Sequence, residues 1–389
     1  MSQIPNIPIV YEEFPDDYIN DVMGWGFDES TIKDNSGKLL TLDIDFGNKC
    51  SLNCPFCFRK NNSVDTNDRG LRSDDLIRVV MEAKQLGLRS VKLLGAGEPL
   101  ENPGILDFLH VLKNLGIVPI IFSKTGILGD DKAVARLFGI YEIRSAHHLI
   151  EELKQCGASV VVGFNSFNHR IQSQMAGNGP DFLQKRNRSV DLLVEAGFNQ
   201  SNPTRLALGI HPITTQNYKE AFRIYKWARL RNIYAIVTPT MVSGLMKGDK
   251  WKSITPNADE LIDLYTKIYR FNIETKLMSF EQVAHEGISA YAGGLPCNQV
   301  AAGLYVTLNG VVLSCPGCED NVEGNVWNSS LREIWLNSMN FERRGTFNCR
   351  CIAKDGKSIP EQLYQEVMFN LITETQARCA RKTTKVRAI

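Results

Sequence analysis

The sequence has almost no excess of charge of either sign. Its 389 residues include 44 Lys and Arg against 43 Asp and Glu, which gives a formal net charge of +1. Such a balance produces no global electrostatic field, and the chain does not interleave aromatic with basic residues as RNA-binding modules do. Nucleic acid and anionic membrane surfaces are therefore not expected as main partners.

Long hydrophobic runs are also missing. No uninterrupted apolar stretch reaches the roughly eighteen residues that a membrane span needs. Residues 1–8 contain no basic segment followed by an apolar one, which a secretory leader would show. We expect a cytoplasmic protein without a membrane partner. With 43% hydrophobic and 22% charged residues, the chain has enough apolar material for one large domain and a smaller one.

Cysteine, in contrast, is plentiful. Ten cysteines in a cytosolic chain of this length favour metal ligands over disulfides, because reducing conditions keep structural disulfides from persisting. Eight of the ten fall into two clusters. The first cluster contains Cys50, Cys54 and Cys57, and the second contains Cys297, Cys315, Cys318, Cys349 and Cys351. Two metal sites are therefore predicted.

The first cluster has the spacing C-x3-C-x2-C within one short segment. Three thiols this close can converge on one metal centre, but they leave that centre one ligand short. Structural zinc needs a closed set of four ligands, whereas an iron–sulfur cubane held by three thiolates keeps one iron available for another ligand. The spacing favours the cubane. A surface zinc knuckle and three unrelated thiols are the alternatives.

Short apolar strands alternate with amphipathic helices from residue 41 to residue 243. The six strands are predicted to begin near residues 41, 91, 119, 160, 205 and 234. Six such units predict a parallel sheet wound in right-handed crossovers, with its chemistry at the carboxyl ends of the strands. Six strands are too few to close the usual eight-stranded barrel. The predicted fold is therefore α/β, a partial (β/α)6 TIM-like barrel.

The remaining segments divide around this barrel. Residues 1–40 are predicted to form an irregular N-terminal cap, and residues 244–296 a helical bridge that acts as a spacer. The bridge helix is predicted to begin at Thr255-Pro256, where a capping hydroxyl precedes a proline. A small C-terminal domain is predicted over 297–352, followed by a helix and a basic tail over 353–389.

The second cysteine cluster surrounds a predicted β-hairpin over 304–314, whose Asn309-Gly310 step is a strong signal for a type I′ turn. Its spacing up to the third thiol is C-x12-G-x4-C-x2-C, and a short helix follows near Trp335. Four of the five thiols would complete a cubane, with either Cys349 or Cys351 as the fourth ligand. A structural zinc tetrathiolate is the alternative.

These motifs together resemble the radical S-adenosylmethionine (SAM) enzymes. The likeness rests on the cysteine loop, with Phe56 before its third thiol, and on Gly95-Ala-Gly-Glu-Pro99 about forty residues later. It implies a [4Fe-4S] cluster whose open iron is chelated by SAM. By the same resemblance the residues that contact SAM are Phe56, Gly95, Gly97, Glu98, Ser123, Asn165 and Ser166. Gly-x-Gly after a strand is otherwise an ordinary turn.

The C-x12-G-x4-C spacing, with residues 324–335 after it, resembles the SPASM and twitch auxiliary-cluster domains of many radical SAM enzymes. Five thiols replace the seven of a full SPASM pattern, so one auxiliary [4Fe-4S] cluster is expected. The resemblance implies reductive cleavage of SAM to a 5′-deoxyadenosyl radical, which abstracts a substrate hydrogen atom. It also implies a flavodoxin- or ferredoxin-like electron donor and an oxidoreductase activity.

Two substrate classes are compatible with this resemblance. The roughly forty residues before the first strand are too few for the winged-helix domain that many peptide modifiers carry. A small polar substrate such as a sugar or aminocyclitol is therefore expected, with oxidation or rearrangement as the outcome. Peptide or protein maturation is the alternative. A zinc-bearing RNA- or protein-binding module is the alternative from a different functional class.

Overall fold

The computed structural model describes residues 4–59, 70–338, 347 and 350–386, with side chains as far as residue 376. Its strands are β1 (Thr41–Ile44), β2 (Ser90–Leu93), β3 (Val118–Ser123), β4 (Ser159–Gly163), β5 (Leu206–Ile213), β6 (Tyr234–Pro239), β7 (Gly303–Val306), β8 (Val311–Leu313) and β9 (Val322–Asn325). Its helices are α1 (Glu29–Asp34), α2 (Ser73–Gln85), α3 (Ile105–Asn114), α4 (Asp131–Phe138), α5 (Ala146–Gln155), α6 (His169–Ala176), α7 (Phe182–Glu195), α8 (Tyr218–Arg229), α9 (Ala258–Glu274), α10 (Phe280–Glu286), α11 (Gln299–Ala302), α12 (Leu331–Asn337) and α13 (Leu363–Val386).

The strands form one sheet in the order β6-β5-β4-β3-β2-β1-β7-β8-β9. Neighbouring strands from β6 to β1 are parallel, and helices connect them as the alternating pattern predicts. Every residue of β1, β2 and β4 is buried, as expected for parallel strands covered on both faces. The predicted partial TIM-like barrel is confirmed.

Helix starts depend on capping side chains, and two of them differ from expectation. Helix α9 begins at Ala258, because the Asn257 side chain accepts from the Glu260 amide and Glu260 in turn caps the Asn257 amide. The predicted start at Thr255-Pro256 was therefore two residues too early. Helix α6 was not predicted. The Asn168 side chain caps it, but its eight residues bury a narrow face that gives little periodicity.

The predicted N-terminal cap fills the base of the barrel. Val22 and Trp25 pack against inward-facing residues of β3 to β6, among them Ile120, Val161 and Ile236. The Met23 amide donates to the carbonyl oxygen of Thr204 at 2.8 Å, just before β5. This irregular segment therefore supplies the apolar contacts that complete the barrel interior.

The C-terminal hairpin continues the barrel sheet. Strand β7 lies parallel to β1, with Thr41 opposite Gly303, and β8 and β9 follow antiparallel to β7 and β8. The predicted hairpin and short helix are both present. The type I′ turn is wrong, because that turn needs positive φ at both central residues and only Gly310, at φ +81°, has it. The hydrogen bond from the Gly310 amide to the Thr307 carbonyl closes a type I turn with glycine in the left-handed position.

None of the helices within the described ranges has the length and hydropathy that a bilayer crossing requires.

Candidate active site

The first cysteine cluster lies on the loop that leaves the carboxyl end of β1. Asp45, directly after the strand, is buried and accepts from three donors. These are the Arg59 guanidinium at 2.7 Å, the Tyr305 hydroxyl, and the backbone N–H of Leu308 at 3.0 Å. Arg59 stands two residues after Cys57, so this network fixes the end of the cysteine loop to both the barrel and the C-terminal hairpin. A buried carboxyl group that accepts from several charged or polar donors holds its neighbours in one geometry.

Two further contacts hold the cysteine loop. The Ser51 amide and hydroxyl both donate to the Glu101 carboxylate, with the amide 2.9 Å from Oε2. On the other side, the Leu245 amide donates to the carbonyl oxygen of Cys57 at 3.0 Å. The neighbouring Gly244 leaves no room for a side chain, since a Cβ there would stand 2.4 Å from the Phe58 carbonyl oxygen. The segment predicted as a spacer thus begins as a support for the cysteine loop.

A cavity of about 250 Å³ opens beside this loop, at the carboxyl ends of the strands. Its lining contains the three thiols of the first cluster and six further residues that the sequence singled out: Phe56, Gly95, Gly97, Glu98, Cys297 and Cys315. Ser123 also lies in the wall. One cavity therefore contacts both cysteine clusters together with the Gly-Glu motif.

The glycines of this motif are required by packing within the protein itself. A Cβ at Gly97 would stand 2.2 Å from the carbonyl oxygen of Lys49. The Gly97 and Glu98 amides donate to the carbonyl oxygens of Gly47 and Lys49, at 3.0 and 2.7 Å. Glycine is needed because the motif packs backbone to backbone against the cysteine loop. The motif and the thiols are consequently held in one rigid unit, with Gly95 at φ +75° turning the chain.

Glu98 is a buried carboxyl group facing the cavity. Its Oε2 accepts from the Lys124 amide at 2.9 Å, and its Oε1 accepts from the Leu100 amide at 3.4 Å. Burial raises the pKa of Glu98 to about 7, and the hydrogen bond from Ser123 opposes the shift. The side chain can therefore exchange a proton near neutral pH and, when ionised, can receive an ammonium group.

Asn165 and Ser166 do not lie in the cavity wall, contrary to expectation. Both are fully buried, and Gln172 Oε1 accepts from both of their backbone amides. The Ser166 hydroxyl donates to Glu220, whereas the Asn165 amide group bridges the Lys124 ammonium and the His211 carbonyl. Strand β4 ends at Gly163, so the chain has already turned behind the wall when it reaches these residues. Asn165 is nevertheless linked to the cavity wall through its hydrogen bond from Lys124.

Four thiols of the second cluster are neighbours in the structure. Cys315 and Cys318 form a hydrogen bond with each other. Cys297 and Cys351 lie close enough to Cys315 for its charge to add to burial in raising the pKa of both thiols. Burial raises the pKa of Cys351 to about 12. Cys349 lies outside the described residues. The structure therefore brings Cys351 to the three thiols that the hairpin spacing selects.

These donors fit iron–sulfur clusters. Within the described ranges, no three Cys, His, Asp or Glu side chains are close enough to bind a single metal ion. A cubane binds its thiolates through different iron atoms, so its ligands stand further apart than those of one ion. The Thr240 hydroxyl and the Nε of Arg59 also line the cavity, buried and without a hydrogen-bond partner among the described residues. Buried polar groups of this kind normally have a hydrogen-bond partner, and a molecule bound in the cavity would provide one.

Several cavity residues were not identified from the sequence. They are Trp25, Asp43, Lys92, Lys124, His211, Tyr291 and Lys354. Lys124 directly follows the end of a predicted strand, and that position could have identified it as a candidate site residue. Tyr291 and Lys354 come from the segments predicted as spacer and tail, where nothing in the local pattern marks them.

Residues 44–228 match the radical SAM superfamily. A GTP 3′,8-cyclase of Clostridium perfringens is 36% identical over 107 residues, which are 26% of this chain and 32% of that protein. A probable GTP 3′,8-cyclase of Methanocaldococcus jannaschii is 28% identical over 103 residues, covering 26% of this chain and 34% of that protein. The chain thus spans about a third of the length of these curated relatives.

Two solved structures share the fold over more of the chain. SuiB of Streptococcus suis, bound to its precursor peptide SuiA, aligns with a TM-score of 0.54 at 20% identity, over 80% of this chain and 68% of SuiB. Native anSMEcpe, with bound AdoMet and a peptide, aligns with a TM-score of 0.57 at 12% identity, over 89% of this chain and 99% of that one. The superfamily match thus covers residues 44–228, which contain strands β2 to β5 and the cysteine loop at the end of β1, and the two solved structures share the fold of the larger part of the chain.

Proposed function

We propose that this protein is an enzyme that reductively cleaves SAM and oxidises or rearranges a small polar substrate. Radical SAM enzymes use a [4Fe-4S] cluster and SAM. The observation that carries the proposal is the single cavity lined by Cys50, Cys54, Cys57, the Gly-Glu motif and two thiols of the second cluster. A site for SAM and a site for substrate in one cavity are what hydrogen-atom abstraction requires.

Cys50, Cys54 and Cys57 would hold the first cluster, and Cys297, Cys315, Cys318 and Cys351 an auxiliary one. When bound, the reduced first cluster and SAM supply a 5′-deoxyadenosyl radical for hydrogen abstraction. The protein's contribution is binding, orientation and exclusion of water. Phe56 and Leu52 give the cavity an apolar wall beside the thiols, and Glu98 places a carboxylate where it can receive the methionine ammonium. Ser123 would support that contact through its hydrogen bond to Glu98.

A small substrate is supported by the position of the cavity of about 250 Å³, which lies within a barrel plugged at its base by Val22 and Trp25. The curated relatives that match part of the barrel are named as cyclases of GTP, which is also a small polar molecule. A flavodoxin- or ferredoxin-like protein would supply the electron, by analogy with the superfamily.

Anaerobic purification, with iron, sulfide and zinc quantified, tests the proposal. Two cubanes predict roughly eight iron atoms per chain. SAM and dithionite should then yield 5′-deoxyadenosine and methionine, measured by mass spectrometry. The variant with Cys50, Cys54 and Cys57 all changed to Ala should lose both products and about half of the iron while staying brown. Stoichiometric zinc with little iron would contradict the enzyme and favour the binding-module alternative.

Peptides are the second substrate class, and an isotope-transfer experiment distinguishes them from small polar substrates. The purified enzyme is incubated in turn with pools of deuterated small metabolites and deuterated peptides, and deuterium is followed into 5′-deoxyadenosine. Transfer from the metabolite pool supports the small substrate. Transfer only from peptides would replace it with the maturase.

A further inference from the structure

Two paired glycines lie beside the cavity, one at the end of β4 and one within β5. Gly163 and Gly209 lie opposite each other in the parallel register of these strands. A Cβ at Gly163 would stand 2.3 Å from Cδ of Lys124, and a Cβ at Gly209 would stand 2.8 Å from Nε2 of His211. Their missing side chains therefore leave the space in which the Lys124 stem and the His211 ring lie. The cavity at this point is built around those two polar side chains.

Lys124 reaches across the end of β4 into the cavity. Its Nζ donates to Oδ1 of Asn165 at 3.0 Å, and no carboxylate among the described residues pairs with it. Asn165 is itself held by its Nδ2 donating to the His211 carbonyl oxygen at 2.8 Å. The ammonium group of Lys124 is thus positioned by a neutral amide, with its charge left uncompensated within the described part of the protein.

Lys354 enters the same cavity from the C-terminal segment. Only 1% of its surface is exposed, its Nζ donates to the Thr238 hydroxyl at 2.7 Å, and it lies 4.5 Å from the centre of the Tyr291 ring. Across the described ranges, no carboxylate lies within ion-pair distance of it. Burying an ammonium group is costly unless anions lie near it. The groups near Lys354 that can carry negative charge are the thiols of Cys297, Cys315 and Cys351 and, beyond ion-pair distance, the Asp355 carboxylate.

The other two cations of the cavity are different. Lys92 Nζ lies 3.4 Å from Oδ1 of Asp43, and Arg59 lies 2.7 Å from Asp45. Both pairs are buried, so the protein compensates these charges itself. The contrast singles out Lys124 and Lys354 as cavity cations that form no ion pair with a carboxylate among the described residues.

His211 connects the two. All three side chains line the same cavity, and burial together with the positive charges of Lys124 and Lys354 lowers the pKa of His211 to about 3. The imidazole is consequently neutral at physiological pH. A neutral ring provides one N–H donor without adding a third positive charge.

We propose that Lys124, His211 and Lys354 form an oxyanion-binding subsite that holds a carboxylate or phosphate group of the substrate. This inference rests on the function proposed above and adds the chemical class of the substrate. Two ammonium groups and a neutral N–H donor, with aromatic and apolar surface around them, are suited to one compact oxyanion. The subsite lies on the side of the cavity where Cys315 and Cys351 also influence Lys354, so the anion would sit next to the auxiliary thiols.

The test uses the reconstituted full-length protein, oxidised and saturated with SAM, so that no turnover occurs. Inorganic pyrophosphate and malonate serve as phosphate and carboxylate probes, and isothermal titration measures their affinities. The wild-type protein should bind at least one probe. Lys354→Met, Lys354→Gln and Lys124→Met should each weaken that binding about tenfold or more, because each removes a charge-assisted hydrogen bond.

Two further variants make the test specific. Gly163→Ala keeps every charge but displaces the flexible Lys124 stem, and should also weaken binding of the probe. Lys267→Met removes an exposed lysine that pairs with Asp263, and should leave binding unchanged. Iron content and SAM affinity should match wild type in all five variants.

The outcomes separate the two levels of inference. A wild-type protein without iron or SAM binding refutes the proposed function before any probe is added. Normal iron and SAM binding without affinity for either probe refutes only the oxyanion subsite. Unchanged probe binding in both Lys354 variants does the same. A Lys124→Met protein that loses SAM affinity but retains probe affinity would assign that lysine to the carboxylate of SAM and overturn the shared subsite.

Discussion

At the residue scale, Glu98 shows how burial moves the pKa of a common side chain toward neutral pH. Its carboxyl group is 7% exposed and surrounded by donors, yet loss of solvent dominates and raises its pKa to about 7. In the absence of a ligand, Glu98 therefore contributes stability that is fully present below its ordinary pKa of 4.5 and is lost as pH rises through about 7. A cationic ligand would reverse this preference by favouring the ionised form.

SAM affinity should accordingly depend on pH through Glu98. Between pH 6 and 7.5 the fraction of ionised carboxyl rises, so binding of the methionine ammonium should strengthen roughly eightfold. Glu98→Gln should bind SAM more weakly and show a flat profile over this range, with the iron content unchanged. Equilibrium titration of oxidised protein at several pH values measures both. Parallel profiles in the two proteins would remove Glu98 from the SAM site.

Cys351 is the second decisive residue, because the sequence left it equivalent to Cys349. Its place beside Cys315 and Cys297 predicts that Cys351→Ala loses the auxiliary cluster and retains about four iron atoms per chain. Cys156→Ala is the matched control, since that thiol is buried away from the cavity. Iron analysis with electron paramagnetic resonance of the reduced protein distinguishes the two. A Cys351→Ala protein with full iron content would show that the fourth ligand is another group.

At the scale of the element, the cysteine loop has no regular structure of its own and depends on contacts from three directions. Asp45 and Arg59 hold its end, Leu245 donates to its third cysteine, and Glu101 anchors the first cysteine's neighbour. A loop held by side-chain hydrogen bonds keeps its ligands preorganised, which reduces the ordering cost when a cluster binds.

Glu101→Ala should loosen this loop without unfolding the barrel. It leaves the Ser51 amide and hydroxyl without their acceptor, a loss of about 1 to 3 kcal/mol. The reconstituted variant should release iron from the first cluster faster on incubation with a chelator, while the auxiliary iron stays bound. Glu12→Ala, at an exposed position of the N-terminal segment, provides the comparison. Equal release rates would mean that Glu101 does not position the loop.

At the scale of the whole molecule, the barrel and the C-terminal segment are one structure. Strand β7 pairs with β1 along its full length, and Tyr305 on β7 donates to Asp45 after β1. The Trp335 indole donates to the Gly37 carbonyl oxygen at 3.0 Å, joining α12 to the segment before β1. The auxiliary thiols are thus attached to the strand that presents the first cysteine cluster.

A chain ending at residue 296 should therefore fail to fold as an independent barrel. Its β1 edge would present unpaired backbone groups and its Asp45 would lose two donors, conditions that favour aggregation. Expression followed by size-exclusion chromatography measures the soluble monomer, and a chain ending at residue 376 should remain monomeric. A folded, monomeric 1–296 protein would show that the C-terminal segment is a separable domain.

The sequence by itself determined the local features of this protein. Strand and helix periodicity predicted the six β/α units, and the spacing of Cys50, Cys54 and Cys57 predicted a three-thiol site, since both depend on residues close together in the chain. Tertiary structure decided which distant residues meet. The side chains of Lys124, His211 and Lys354 come from three segments, and only the order and closure of the sheet bring them together. The same closure placed Trp25 inside the barrel, moved Asn165 behind its wall and joined β7 to β1, because these contacts depend on packing between elements that no local pattern encodes.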